Sequence, residues 1–251
     1  KNAAGKGSKL ALPTNQEKET PPGRNRPRRA LSRAATLTAM ASDAPNPLCN
    51  LPHFVNGTYN KNKTFLDDEE YGRALDCFVK GCADLLITDD RGIMLMGKRK
   101  VHPQPDWWVL GGRMKAGETV EEAAGRNCKR ETGIDIQPAR WSFVCCQTML
   151  WQFRKQAPEG NGTADFGVIM TAQITEQERA SMNMCSEEYE SFGWFVPEDL
   201  IKPDAELKLH PVLFRGVKEL VAKKTKDALH KAVVEKKSDA EIAELVRKLY
   251  E

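Results

Sequence analysis

From residue 74 onward the chain alternates between short apolar runs and polar punctuation. Residues 76–88 (DCFVKGCADLLIT) form a strand-like apolar run, Asp89-Asp90-Arg91-Gly92 is turn chemistry, and residues 93–98 (IMLMGK) form a second run. Two such runs joined by a short turn predict a β-hairpin. Residues 107–110 (WWVL) predict a short strand running into Gly111-Gly112. Residues 119–132 predict a helix. Thr119 and Glu122 have capping-box spacing, and Val120, Ala123, Ala124 and Cys128 give a narrow face of small residues. Gly133 supplies the stop, because glycine tolerates the left-handed conformation found there. Gly125 costs such a helix up to about 1 kcal/mol relative to alanine, so close packing is expected at that point. Strands are predicted at 141–153 and 166–174, around the polar loop 155–163 (KQAPEGNGT), and at 192–196. Pro197 to Leu200 reads as a helical turn. Leu213, Val217, Leu220, Val221, Ala228, Leu229, Ala232 and Val233 recur at helical spacing. A last helix opens at Ser238, with Glu241 as its capping partner. Its Ile242, Leu245, Val246 and Leu249 stripe is expected to pack on its own domain. Residues 41–73 read as irregular.

Composition narrows the class. The chain has 251 residues, 40% hydrophobic and 29% charged. That fits one domain with extensions or two small domains, and excludes collagen, coiled coil and whole-chain disorder. No stretch approaches the ~20 apolar residues of a membrane span. The net charge of +3 is a sum of unlike parts: residues 1–40 carry +7 and the remaining 211 carry −4. The leader is rich in Arg, Ser and Ala and poor in acids, the composition of a transit peptide. An organelle matrix, mitochondrion or plastid, is therefore expected. A plain basic tail on a cytoplasmic protein is the other reading. The sequence opens on Lys1 rather than Met, so a start further upstream is expected. Seven cysteines without a C-x-x-C, and four histidines away from zinc spacing, read as reduced core thiols. The acidic body argues against an extensive nucleic-acid footprint, which needs clustered cations.

The chemistry concentrates in residues 111–134, GGRMKAGETVEEAAGRNCKRETGI. A strand ends in Gly-Gly-Arg, where backbone can approach a ligand closely. On the helix that follows, Asn127 and Glu131 are i, i+4 neighbours, as are Arg126 and Arg130. Oxygen donors suit Mg²⁺ bound through one or two carboxylates and substrate phosphates. Arginines suit phosphate oxygens bidentately. The combination points to a metal–diphosphate site, with a solvated face of Arg–Glu pairs as the alternative.

Gly112, Glu118, Arg126, Cys128, Glu131, Gly133 and Ile134 stand at the spacing of the Nudix box, G-x5-E-x7-R-E-U-x-E-E-x-G-U, so the chain resembles the Nudix hydrolases. The resemblance implies an α/β fold, a Nudix-type α/β/α sandwich with a mixed sheet. To this the sequence adds a disordered basic N-terminal leader and a C-terminal helical extension. The parts divide as leader 1–45, linker 46–74, Nudix domain 75–205 and C-terminal helices 206–251. Two box glutamates are replaced, by Asn127 and Arg130, which removes three negative charges. A similar depleted box occurs in the GDP-mannose mannosyl hydrolase-like branch. That likeness implies one Mg²⁺ (or Mn²⁺) on Glu131, the Gly111 carbonyl and Glu188, with Asn127 beside them; the lost charge leaves open that no ion binds.

The resemblance also places Tyr189 where that branch has a base histidine, and tyrosine is a poor base. It implies Glu188 and Arg113 as catalytic groups, with Glu118 orienting the loop. Arg113, Arg126 and Arg130 would bind phosphate, and Trp108 or Trp107 would stack on a base. The expected reaction is hydrolysis of a nucleoside diphosphate linked to another group. The alternatives are a catalytically reduced binding subunit of an organelle ribonucleoprotein complex, or removal of 5′ phosphates from RNA. The expected partners are a nucleotide-type small molecule and a second copy of the chain or such a complex.

Overall fold

The computed structural model describes residues 51–61, 64–101 and 105–250; the basic leader lies outside them. The helices are α1 (Asp68–Leu75), α2 (Val120–Thr132), α3 (Glu176–Ala180), α4 (Pro197–Leu200), α5 (Pro211–Val234) and α6 (Asp239–Tyr250). The strands are β1 (Lys80–Thr88), β2 (Met94–Arg99), β3 (Trp107–Trp108), β4 (Leu110–Arg113), β5 (Ser142–Trp151), β6 (Thr163–Gln173) and β7 (Tyr189–Phe195).

β1 is the centre of a mixed sheet, and it is buried from Cys82 to Thr88. Burial on both faces explains why its sequence is a continuous apolar run rather than an alternation. It pairs in parallel with β6, from Lys80↔Asp165 to Thr88↔Gln173, and β5 pairs antiparallel with β6. Side chains alternate across it. Ala83, Leu85 and Ile87 face a core shared with Ala123, Ala124 and Cys128 of α2. Leu86 faces a second core shared with Leu213, Val217 and Leu220 of α5. The result is an α/β/α sandwich. α5 contributes Leu213, Val217 and Leu220 to its core, although it lies beyond the expected 75–205 domain. α6 lies along α5 and buries no residue fully.

The expected hairpin is present only at its base. The Asp89–Gly92 turn closes with Gly92 N–H donating to the Asp89 carbonyl at 2.9 Å. Beyond Thr88↔Met94 the two strands part. β2 pairs instead with β7 and β3, and β4 takes the remaining edge of β1, from Cys82↔Arg113 to Leu85↔Leu110. One edge of β1 is thus divided between two strands. Glu131 on α2 ties β4 to β7, the strand paired with β2, by bonding to Gly111 and to Tyr189.

α2 has the expected capping box at Thr119 and Glu122 and a left-handed Gly133 at its end. Gly125 lies against the chain, where a Cβ would stand 2.7 Å from the Ile136 carbonyl. Helix α1 falls in the stretch read as irregular. It is short and acid-rich and buries only Gly72, so apolar periodicity gives no sign of it. Among the described residues no helix is long and apolar enough to cross a membrane.

Candidate functional site

Two arginines of α2 fasten the β4 segment to the helix. Arg126 donates to Glu118 from Nε at 2.6 Å and from Nη2 at 2.8 Å. It also donates to the Arg113 carbonyl and to Asn127 Oδ1, each at 2.8 Å. Asn127, fully buried, donates through Nδ2 to the Gly112 carbonyl at 3.0 Å. Glu118 also accepts from Lys115 N–H at 2.8 Å. Burial alone would raise the Glu118 carboxyl, but Arg126 and the Lys115 N–H outweigh it and hold the group below the usual range.

Arg130 forms the second fastening. Its Nη2 donates to the Gly111 carbonyl at 3.2 Å and to Glu131 Oε1, and lies 3.8 Å from Glu188 Oε1. Glu188 lies equally far from Arg99, at 3.8 Å. The Arg130 side chain is 49% exposed, whereas Glu131 is wholly buried.

Glu131 accepts three donors: Arg130, Gly111 N–H at 3.1 Å and the Tyr189 hydroxyl at 2.6 Å. Burial still pushes its carboxyl above the ordinary value. Burial and the adjacent Glu131 also raise the Tyr189 phenol, so Tyr189 stays protonated and serves as a donor. Gly111 has φ +143°, and a Cβ there would stand 2.4 Å from the Ala83 carbonyl. Only glycine can bring this carbonyl to Arg130 without strain.

The other expected site residues are placed differently. Arg113 is exposed, with its guanidinium 4.5 Å from the Tyr71 ring centroid. Trp108, expected as a stacking surface, is instead 5% exposed. It packs edge-on against Trp151 and His210 in the α5-side core. Trp107, at the margin of the same core, lines an open groove of about 610 Å³ with Trp194 and Phe195. The polar loop 155–163 docks on the α1 region. Arg154 and Asn161 donate to Asp76 at 2.7 and 3.2 Å, and Gln156 donates to Asp68 at 3.0 Å.

Two groups escaped the sequence reading. Asp84 is buried in β1, and burial with Asp165 nearby pushes its carboxyl up to about 7. The signal available was one acid inside an apolar strand. Arg99, at the end of β2, holds a buried Nε without a hydrogen-bond partner among the described residues.

The donor set expected for a divalent ion does not fit one as arranged. Both Glu131 oxygens and the Gly111 carbonyl already accept hydrogen bonds. The Asn127 oxygen is turned to Arg126. Among the described residues no three His, Cys, Asp or Glu side chains gather where they could hold a common ion.

Comparison with known proteins places the chain. A Caenorhabditis elegans protein named as a nudix hydrolase is 33% identical over 70 residues, which are 23% of this chain and 19% of that protein. The match thus spans less than a quarter of either. Nucleoside triphosphatase NudI of Escherichia coli O17:K52:H18 is 24% identical over 133 residues, covering 51% of this chain and 81% of the relative. The crystal structure of a MutT NUDIX hydrolase from Burkholderia pseudomallei is 23% identical and aligns with a TM-score of 0.44, over 57% of this chain and 98% of that one. The NUDIX domain model matches residues 80–215, more than half of the sequence, and the chain belongs to the Nudix family.

Proposed function

We propose that the chain hydrolyses a nucleoside diphosphate linked to a second group, with the diphosphate lying over the Gly111–Arg113 segment. The observation that carries this reading is Glu188, a partly exposed carboxylate held at 3.8 Å by both Arg99 and Arg130. At that separation the pairs are ionic rather than hydrogen-bonded, so they can re-form around a new anion. Phosphate oxygens accept from Arg130 and from exposed Arg113, since guanidinium matches phosphate geometry. As Arg130 turns to phosphate, Glu188 is released to accept the proton of an attacking water, the work of a general base. Glu131 and Gly111 keep Arg130 anchored meanwhile, and Glu118 with Arg126 keeps the loop in shape. The name of the E. coli relative, a nucleoside triphosphatase, supports a nucleotide-type substrate.

A second reading, a binding module without turnover, draws on the internal saturation of Glu118, Asn127 and Glu131. One experiment separates the two. Nucleoside triphosphates, dinucleoside polyphosphates and sugar nucleotides are offered to the wild type and to Glu188→Gln. Loss of a general base lowers kcat by roughly 10²–10⁴-fold with ligand binding retained. An unchanged rate in Glu188→Gln refutes the role of Glu188. Binding without turnover of any substrate establishes the second reading.

A further inference from the structure

We propose that Arg130 is the resident cation of this site. Its guanidinium takes the place among the Gly111 carbonyl, Glu131 and Glu188 that a divalent ion would need, so the chain grips diphosphate by fixed guanidinium charge. The proposal rests on reading the pocket as a diphosphate site, but it concerns the cation alone.

The geometry argues it in three steps. First, all three oxygen groups meet one nitrogen, Arg130 Nη2, by two hydrogen bonds and one ionic contact. Second, a cation entering there must break the Arg130–Glu131 pair inside a buried pocket. It would then stand beside a guanidinium that is still covalently attached one residue away. Like charges at such range repel strongly away from bulk water. Third, retreat to a neighbouring donor set is closed. Asn127 and the Gly112 and Arg113 carbonyls are taken up by the Arg126 network.

Arg130 is at the same time equipped to bind phosphate. Among the described residues its protein hydrogen bonds all leave from Nη2. Nε and Nη1, three N–H groups of the five, remain available on a side chain that is half exposed. Nε–H shares its edge with Nη2, so Nε and Nη1 stand on different edges and each can donate a separate hydrogen bond to a phosphate oxygen. One residue thus neutralises the buried carboxylate and keeps single N–H donors for phosphate.

The test is Mn²⁺ titration by electron paramagnetic resonance on the full chain without nucleotide, so a chain that turns over nothing still gives an answer. In the wild type the free-ion signal should follow the added Mn²⁺. Arg130→Glu restores a carboxylate beside Glu131 and should take up one Mn²⁺ per chain. Arg130→Gln only removes the charge and should bind at least about tenfold tighter than wild type. It serves where Arg130→Glu does not fold. Adding Glu131→Gln to either variant should abolish the uptake. Stoichiometric Mn²⁺ binding by the wild type that Glu131→Gln removes would overturn the proposal. So would the absence of uptake in a folded Arg130→Glu.

Discussion

Two places in this fold bury a carboxylate against arginine, and they do so differently. Asp89, at the β1–β2 turn, is wholly buried. It accepts from Arg91 and Ile93 N–H at 3.1 and 2.8 Å, from the Arg91 side chain at 3.2 and 3.0 Å, and from Arg179. Arg179 is held further by the Trp194 ring, 4.2 Å from its centroid. Glu131 has three donors, and its one guanidinium is half exposed and shared with Gly111 and Glu188. Burial is the largest influence on both carboxyls and raises both. At Asp89 the Ile93 N–H and Arg91 outweigh it and hold the group below the ordinary value. At Glu131 the donors do not, and the group is left raised. A buried carboxylate with fixed backbone donors is scaffold. One whose single cation also reaches other oxygens, as Arg130 reaches Gly111 and Glu188, can exchange partners, which a binding site requires.

The sharpest way to break this comparison is at Asp89. Asp89→Ala strands Arg179 and two turn N–H groups. Leaving these donors without their acceptor costs about 1–3 kcal/mol each, read as a shift of the urea midpoint at unchanged slope. A loss under about 1 kcal/mol, the worth of an ordinary surface pair, would show that the turn is held by other means. The distinction between the two carboxylates would then fall.

How far these networks were legible follows from the physics of each. The capping residues of α2, its Gly133 stop and the close approach at Gly125 could be read because they act within a few residues of sequence. The sharing of the β1 edge could not, since β4 and β2 compete for it only once the sheet forms. The box spacing put Arg130 and Glu131 on one helix, but adjacent residues do not face each other there. Their contact needs the Gly111 carbonyl as a third point, and that is supplied by a glycine φ no spacing reveals. Trp107 and Trp108 looked equivalent in the sequence. Both pack on the α5-side core, and only the positions of β5 and His210 decide which is covered.

The site itself is tested more gently by Tyr189→Phe. This removes one of Glu131's three donors, the hydroxyl at 2.6 Å, and changes little else. The expected cost is about 1.5–3 kcal/mol in chemical unfolding, the range for one hydrogen bond to a charged group. That is smaller than at Asp89, because Arg130 and Gly111 N–H remain and Arg130 can adjust. A cost equal to that of Asp89→Ala would mean that the Glu131 network is as rigid as the turn.

The smallest effect belongs to a third carboxylate on the scaffold side, and it sharpens the comparison through pH. Glu178 completes the capping box of α3, accepting from Thr175 N–H at 2.8 Å, and pairs with Arg140. The Arg140 hydrogen bond is the main reason its carboxyl falls from 4.5 to about 2. A folded-state value below the unfolded one means that the carboxylate contributes stability above pH 4.5 and loses it as pH falls through about 2. The group is partly exposed, so screening limits its worth to roughly 1 kcal/mol. Glu178→Gln should therefore be less stable than the wild type near neutrality, and the gap should close on titration toward about pH 2. A gap that keeps its size down to that pH would assign the loss to α3 capping by the side-chain amide, with no ionic part. Arg140 would then hold the 3₁₀ turn Pro138–Arg140 through the Gln173 carbonyl alone, to which it donates at 2.6 Å.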